Sequence, residues 1–119
     1  MRTIKELIHF DQGLQLESGS KLDSFDLMVE TYGELNEDKS NAILVCHAFS
    51  GNHHAAGVDS ETEQTGWWDQ IIGPNKAIDT NKYFVVCSNN LGGCSGSSGP
   101  TSLNPNTGKA YGKDFPAVS

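Results

Sequence analysis

Four short runs hold most of the apolar residues of this chain, and they are of two kinds. In Leu14-Gln-Leu-Glu17 and Phe25-Asp-Leu-Met-Val-Glu-Thr-Tyr32 apolar and polar residues alternate. Phe25, Leu27 and Val29 fall on one side of the second run, Asp26 and Glu30 on the other, the pattern of a half-buried strand. The turn-forming residues Ser18-Gly19-Ser20-Lys21 lie between the two runs and predict an antiparallel hairpin at a sheet edge. Ala42–Cys46 and Tyr83–Cys87 are instead continuous and apolar, as in central parallel strands buried on both faces. Parallel strands need a long crossover, nearly always right-handed, and residues 47–82 are enough to supply it. Its helical part is predicted from Trp67 to Ile72, stopped by Gly73-Pro74, with a turn at Asn75–Thr80 leading into the next strand. The expected fold class is α/β.

Composition changes this picture in one respect. Only 36% of the 119 residues are hydrophobic, thirteen are glycine, and Leu91 to Lys113 is a long polar stretch. That is thin for an independent core, so residues 1–119 are expected to form one portion of a single larger domain. Phe115-Pro-Ala-Val-Ser119 reads as the lead-in to a helix. Eight basic against fifteen acidic residues give a net charge of −7. No Lys/Arg cluster offers a footprint for nucleic acid or an anionic membrane. No apolar run is long enough to span a bilayer, and none follows Arg2 and Lys5 as a secretory signal would require. Cys46, Cys87 and Cys94 make an odd count, consistent with reduced thiols in the cytoplasm.

Several residues invite chemistry. Gly92–Gly99 is glycine-rich but lacks the Lys-Ser/Thr ending of a P-loop and the spacing of a dinucleotide-binding turn. Placed directly after a strand, it reads as a structural loop beside a site. His47, His53 and His54 with the three cysteines lack the ligand spacing of a zinc site, so no metal is expected. Cys46 falls inside a predicted strand, where a thiol is usually inert. Trp67-Trp68 read as packing residues, with a wall of a pocket as the alternative. His47-Ala-Phe-Ser-Gly51 is the more suggestive stretch. At the carboxyl end of a parallel strand its small-residue turn can present a backbone N–H to developing negative charge, the device that stabilises acyl-transfer intermediates.

Beyond these local readings, a set of blocks occurs in fixed order. It comprises Leu16–Gly19, Glu30–Asn36, Ser40–Gly51, Gly66-Trp-Trp-Asp69, Ile72-Gly-Pro74, Lys76–Thr80, Tyr83–Asn89, Leu91-Gly-Gly-Cys94, Gly96–Pro100 and Asn104-Pro105. Together they resemble the amino-terminal part of the MetX-type homoserine O-acetyltransferases, from about Gly13 onward. The resemblance implies the amino-terminal part of an α/β-hydrolase fold, an antiparallel edge hairpin leading into parallel central strands. It implies ping-pong transfer of an acetyl group from acetyl-CoA to L-homoserine through an acyl-serine, with no further cofactor, in a protein that forms homodimers.

Only one catalytic element of that family maps onto these residues, the oxyanion-hole N–H, at Phe49, where the family more often has Leu. Ser50 stands where the family places a small hydroxyl residue near the substrate, and is a candidate substrate contact. No Gly-x-Ser-x-Gly nucleophile elbow occurs, and Gly96-Ser-Ser-Gly99 has the wrong spacing. The serine, aspartate and histidine of the triad are therefore expected outside this sequence, and the chain alone is expected to be inactive. Two alternatives stay open: an O-acyltransferase of the same family acting on serine or another alcohol or using succinyl-CoA, and a short non-catalytic binding module.

Overall fold

The computed structural model describes residues 1–118. Eight strands occur in chain order: β1 (Thr3–Phe10), β2 (Leu14–Gln15), β3 (Lys21–Leu22), β4 (Phe25–Tyr32), β5 (Ala42–Val45), β6 (Ile72–Gly73), β7 (Ile78–Asp79) and β8 (Phe84–Ser88). The one helical element among the described residues is a 3₁₀ turn at Gly112–Asp114. The chain divides into two compact units, Met1–Glu6 with Val29–Ser88, and Leu7–Met28 with the residues from Asn89 onward.

The first unit is built on a sheet of order β1-β4-β8-β5. β8 pairs antiparallel with β4, placing Glu30 opposite Cys87, and parallel with β5, placing Val45 opposite Cys87. The parallel pair is where the continuous apolar runs predict it. Its burial is one-sided, however. Val45, Val85 and Cys87 are buried, whereas Leu44 is 68% exposed. β5 is the outermost strand of this sheet rather than a central one, and only one of its faces is covered.

The covering layer is the crossover between β5 and β8. It packs Ala55, Ala56 and Ile72 against Tyr32, Val45, Val85 and Cys87. It contains no α-helix. The N–H groups of Ile71 and Ile72 donate to the Trp68 carbonyl (2.9 and 3.1 Å) in a single turn that ends as Ile72–Gly73 enters a strand. The N–H groups of Trp67 and Trp68 donate to the carbonyls of His54 (3.2 Å) and Ala55 (2.7 Å), far back in the chain. Gly66 permits this contact, because a β-carbon there would lie 2.2 Å from the Ala56 nitrogen. Beyond it, Ile72–Gly73 and Ile78–Asp79 form a two-residue parallel ribbon. β4 departs from the alternation in a telling way. Glu30, on its polar side, is only 4% exposed and shares that side with the fully buried Tyr32.

In the second unit the Ser18–Lys21 turn does close an antiparallel hairpin, but it joins Leu14–Gln15 to Lys21–Leu22. The predicted partner, β4, instead lies between β1 and β8. β1 went unpredicted: Ile4, Leu7 and Phe10 are partly exposed and give no clean alternation. The Gly/Ser loop after β8 is anchored rather than linker-like. Ser97 Oγ accepts from the Met28 N–H at 2.9 Å and donates to the Asn89 carbonyl at 2.6 Å. Phe115, in the expected helix lead-in, is extended at φ −64°, ψ 126°, and Ser119 lies outside the described residues.

Candidate active-site turn and its anchor

The parallel register of β5 ends at Val45 and delivers the chain to a β-turn, Ala48-Phe49-Ser50-Gly51. Gly51 N–H donates to the Ala48 carbonyl at 2.8 Å. His47 Nδ1 lies 2.7 Å from the same oxygen, which can only accept, so that nitrogen carries the proton. Gly51 leaves room for this arrangement, since a β-carbon there would sit 2.9 Å from His47 Cβ. In such a turn the bond between the first and fourth residues leaves the two central amides unused. Phe49 is the first of these, and its N–H makes no hydrogen bond among the described residues. The Phe49 side chain is fully exposed, and Ser50 is exposed beside it. Cys46, expected within a buried strand, lies just past the end of β5 and is exposed.

The residues after the turn, Asn52 to Gly57, are bound tightly from below. The Tyr32 hydroxyl accepts the N–H groups of Ala55 (2.8 Å) and Ala56 (3.2 Å), and Glu30 Oε2 (3.0 Å) and the His53 carbonyl (3.2 Å) are in reach of its proton. Burial pushes the Tyr32 phenol well above its ordinary value, so it stays protonated. His54 Nδ1 lies 3.0 Å from Glu30 Oε2 and Nε2 lies 2.9 Å from the Gln64 carbonyl. Both partners are acceptors, and the doubly protonated imidazolium satisfies both. Burial is the largest influence on His54 and lowers its pKa. The Gln64 carbonyl and the Glu30 carboxylate together outweigh it, and the net shift is upward. The result is a buried ion pair, with side chains 12% and 5% exposed.

Asn52 is held as well. Its carbonyl accepts from Trp67 Nε1 at 2.9 Å and lies 3.7 Å from Cys87 Sγ. Burial raises the Cys87 thiol to about 11, so it remains an S–H donor. Trp67 and Trp68 stack on each other at 5.7 Å, but at 42% and 40% exposed they lie outside the core that the packing role read from sequence implies. No group of three or more His, Cys, Asp or Glu among the described residues could hold a metal ion. No helix among them is long and apolar enough to cross a membrane.

Sequence reasoning singled out Phe49 and Ser50, which the structure places on one exposed turn, and did not single out Glu30, Tyr32 or His54 beneath the segment that follows. The available signal was the shared parity of Glu30 and Tyr32 on β4, with His53-His54 at the distance of one turn from Phe49.

No protein-family model matches the chain. Two proteins named homoserine O-succinyltransferase, from Hahella chejuensis and Pseudomonas aeruginosa, are 64% and 61% identical over 115 residues. Each match covers 96% of this chain and 30% of the relative, so the chain spans about a third of their length. Among solved structures, the homoserine O-acetyltransferase from Bacillus anthracis superposes with a TM-score of 0.89 at 42% identity, over all of this chain and 34% of that one. Esterase E22 superposes with a TM-score of 0.87 at 40% identity, over 99% of this chain and 34% of its own.

A mixed sheet whose parallel strand ends in a small-residue turn, matched at these scores, places the chain among the α/β-hydrolases. Within that class, the identity of about 60% across nearly its whole length makes proteins named as homoserine O-acyltransferases its homologues, of which it spans about a third.

Proposed function

We propose that the protein carrying this segment transfers an acyl group from acyl-CoA to the hydroxyl of L-homoserine in the cytoplasm, as a step of methionine biosynthesis. The acyl group passes through a serine ester, with the Phe49 N–H as one donor of the oxyanion hole and Ser50 as a contact to the amino-acid substrate. The observation that carries this reading is the free Phe49 N–H at the strand's carboxyl end, on a turn whose own hydrogen bond does not use it. When the serine attacks the thioester, the carbonyl oxygen gains a full negative charge. A preorganised N–H aimed at that oxygen stabilises the intermediate far more than the ground-state carbonyl, and loss of such a donor costs about 10²–10³-fold in kcat. On this reading the serine, its base and the orienting acid lie outside residues 1–119.

The relatives at 61–64% identity are named succinyltransferases, which favours succinyl-CoA as donor; the acetyl donor in the name of the B. anthracis protein is the alternative. A turnover assay of the full-length protein with each CoA thioester, and with L-homoserine, L-serine or water as acceptor, tests the reaction. No acyl transfer to homoserine from either donor rejects it. Phe49→Pro tests the site, because proline removes the N–H while suiting the second position of a β-turn. Acyl-enzyme formation is expected to slow by about 10²-fold or more. A rate equal to wild type rejects the oxyanion role.

A further inference from the structure

The turn that carries Phe49 is fixed at both ends to one residue. At its entry, Val45 is paired in register with Cys87 on β8. At its exit, the Asn52 carbonyl lies 3.7 Å from the Cys87 thiol and takes a second bond from Trp67 Nε1. Immediately beyond, the backbone is pinned by a polar assembly buried beneath it. Tyr32 is fully buried, Glu30 is 4% exposed, and Ala55 and Ala56 are fully buried. The Tyr32 hydroxyl gathers two successive backbone amides, an arrangement that no apolar side chain could reproduce.

Glu30 and Tyr32 are buried, and both ring nitrogens of the 12%-exposed His54 side chain are taken by Glu30 and the Gln64 carbonyl. Burying an ion pair and a phenol here costs desolvation that well-packed apolar residues would avoid. What the polar groups provide instead is geometry. They hold specific backbone atoms at specific distances, and an oxyanion donor acts only when held within a few tenths of an ångström of its target.

We propose that Tyr32 and the buried Glu30–His54 pair are positioning residues for acyl transfer, fixing the segment Asn52–Ala56 so that the preceding turn aims the Phe49 N–H at the reacting carbonyl. This rests on the oxyanion reading of Phe49. Tyr32 acts through the Ala55 and Ala56 amides. His54 acts by bridging the carboxylate of β4 to the Gln64 carbonyl, which closes the segment from its outer side. None of the three touches the substrate.

The test uses the full-length protein in single-turnover acylation by the CoA thioester that the wild type accepts, with the thermal midpoint and circular dichroism recorded for each variant. Tyr32→Phe removes only the hydroxyl. His54→Gln keeps a donor toward Glu30 but loses the two-ended bridge, and carries the test if Tyr32→Phe does not fold. Displacing a reacting group by about an ångström costs about 10²-fold, so acylation is expected to slow by about that factor while KM for homoserine changes less than about threefold. A purely structural role would lower the thermal midpoint and leave the acylation rate of the folded protein unchanged. Acylation within about twofold of wild type in folded Tyr32→Phe and His54→Gln, with Phe49→Pro slowed, overturns the positioning role and leaves the oxyanion reading standing. An unimpaired Phe49→Pro overturns both.

Discussion

A carboxylate in the polar register of an alternating strand reads as solvent-facing, and Glu30 read that way. The crossover layer covers it, and its charge is then met by a histidine from the covering chain. Sequence alternation reports which residues share a face, and for β4 it did so correctly. It cannot report which face a distant segment will cover. The turn at Phe49 was legible for the opposite reason, since it is a backbone feature at a strand end marked by small residues. The ion pair makes a pH prediction. His54 has a folded pKa raised above its ordinary 6.5. Its contribution to stability is therefore fully present below pH 6.5 and is lost as pH rises through the raised value. The groups that face it are Glu30 from β4, neighbouring His53, and Asp59, itself 3.6 Å from Lys5 of β1. Burial holds His53 below its ordinary pKa, and backbone N–H groups of Thr62 and Glu61 hold Asp59 at about 2, so neither changes charge in the window above pH 6.5. Thermal melts of the full-length protein from pH 6 to 9 should show a fall in stability that His54→Gln flattens. His54→Ala, which leaves the Glu30 charge buried and unpaired, is expected to cost about 3–5 kcal/mol at pH 6. A loss under about 1 kcal/mol there would contradict a charged pair.

At the scale of elements, the parallel pair β5–β8 was legible and the crossover helix was not. Continuous apolar runs leave a strand few alternatives, whereas Trp67–Ile72 carries its apolar residues in a pattern that a helix or a packed turn can satisfy equally. Gly66 lets Trp67 and Trp68 dock on the His54 and Ala55 carbonyls, and the Ile78 N–H then takes the Ile71 carbonyl that a continuing helix would need, as Ile72–Gly73 pairs with Ile78–Asp79. The hairpin failed similarly: a turn signal fixes where a chain reverses but says little about how far its arms extend before other strands compete. Gly66 is thus a point on which the crossover depends. Gly66→Ala puts a β-carbon 2.2 Å from the Ala56 nitrogen and 2.3 Å from the Ala55 carbonyl carbon, backbone atoms with nowhere to retreat. Overpacking of this kind is expected to cost about 1–3 kcal/mol or more and to speed amide exchange at Ala55 and Ala56. Wild-type exchange at those two amides would show that the contact relaxes elsewhere.

At the scale of the whole molecule, residues 1–119 present apolar surface with nothing among the described residues against it. Leu44 on the outermost strand is 68% exposed, and the Phe49 ring is fully so. An open strand edge beside exposed apolar groups promotes association, which a net charge of −7 opposes at low ionic strength. Residues 1–119 expressed alone are therefore expected to associate, and more strongly when salt is raised from about 0.01 M to 0.5 M and shortens the screening length. Size-exclusion chromatography with light scattering gives the answer. A salt-independent monomer with a cooperative melt would favour the reading as an independent binding module.

The division of labour around the turn has an evolutionary consequence. Among the described residues, the bonds that hold the turn and the segment behind it to the scaffold use either a main-chain atom of 48–56 or the buried Glu30–His54 pair, and the Phe49 and Ser50 side chains contribute to none of them. On the oxyanion reading proposed above, substitutions at these two positions other than proline at Phe49 remodel what lies before the N–H and leave the N–H in place. If the proposed reaction holds, acceptor and donor preference can then drift under selection while the donor N–H is kept.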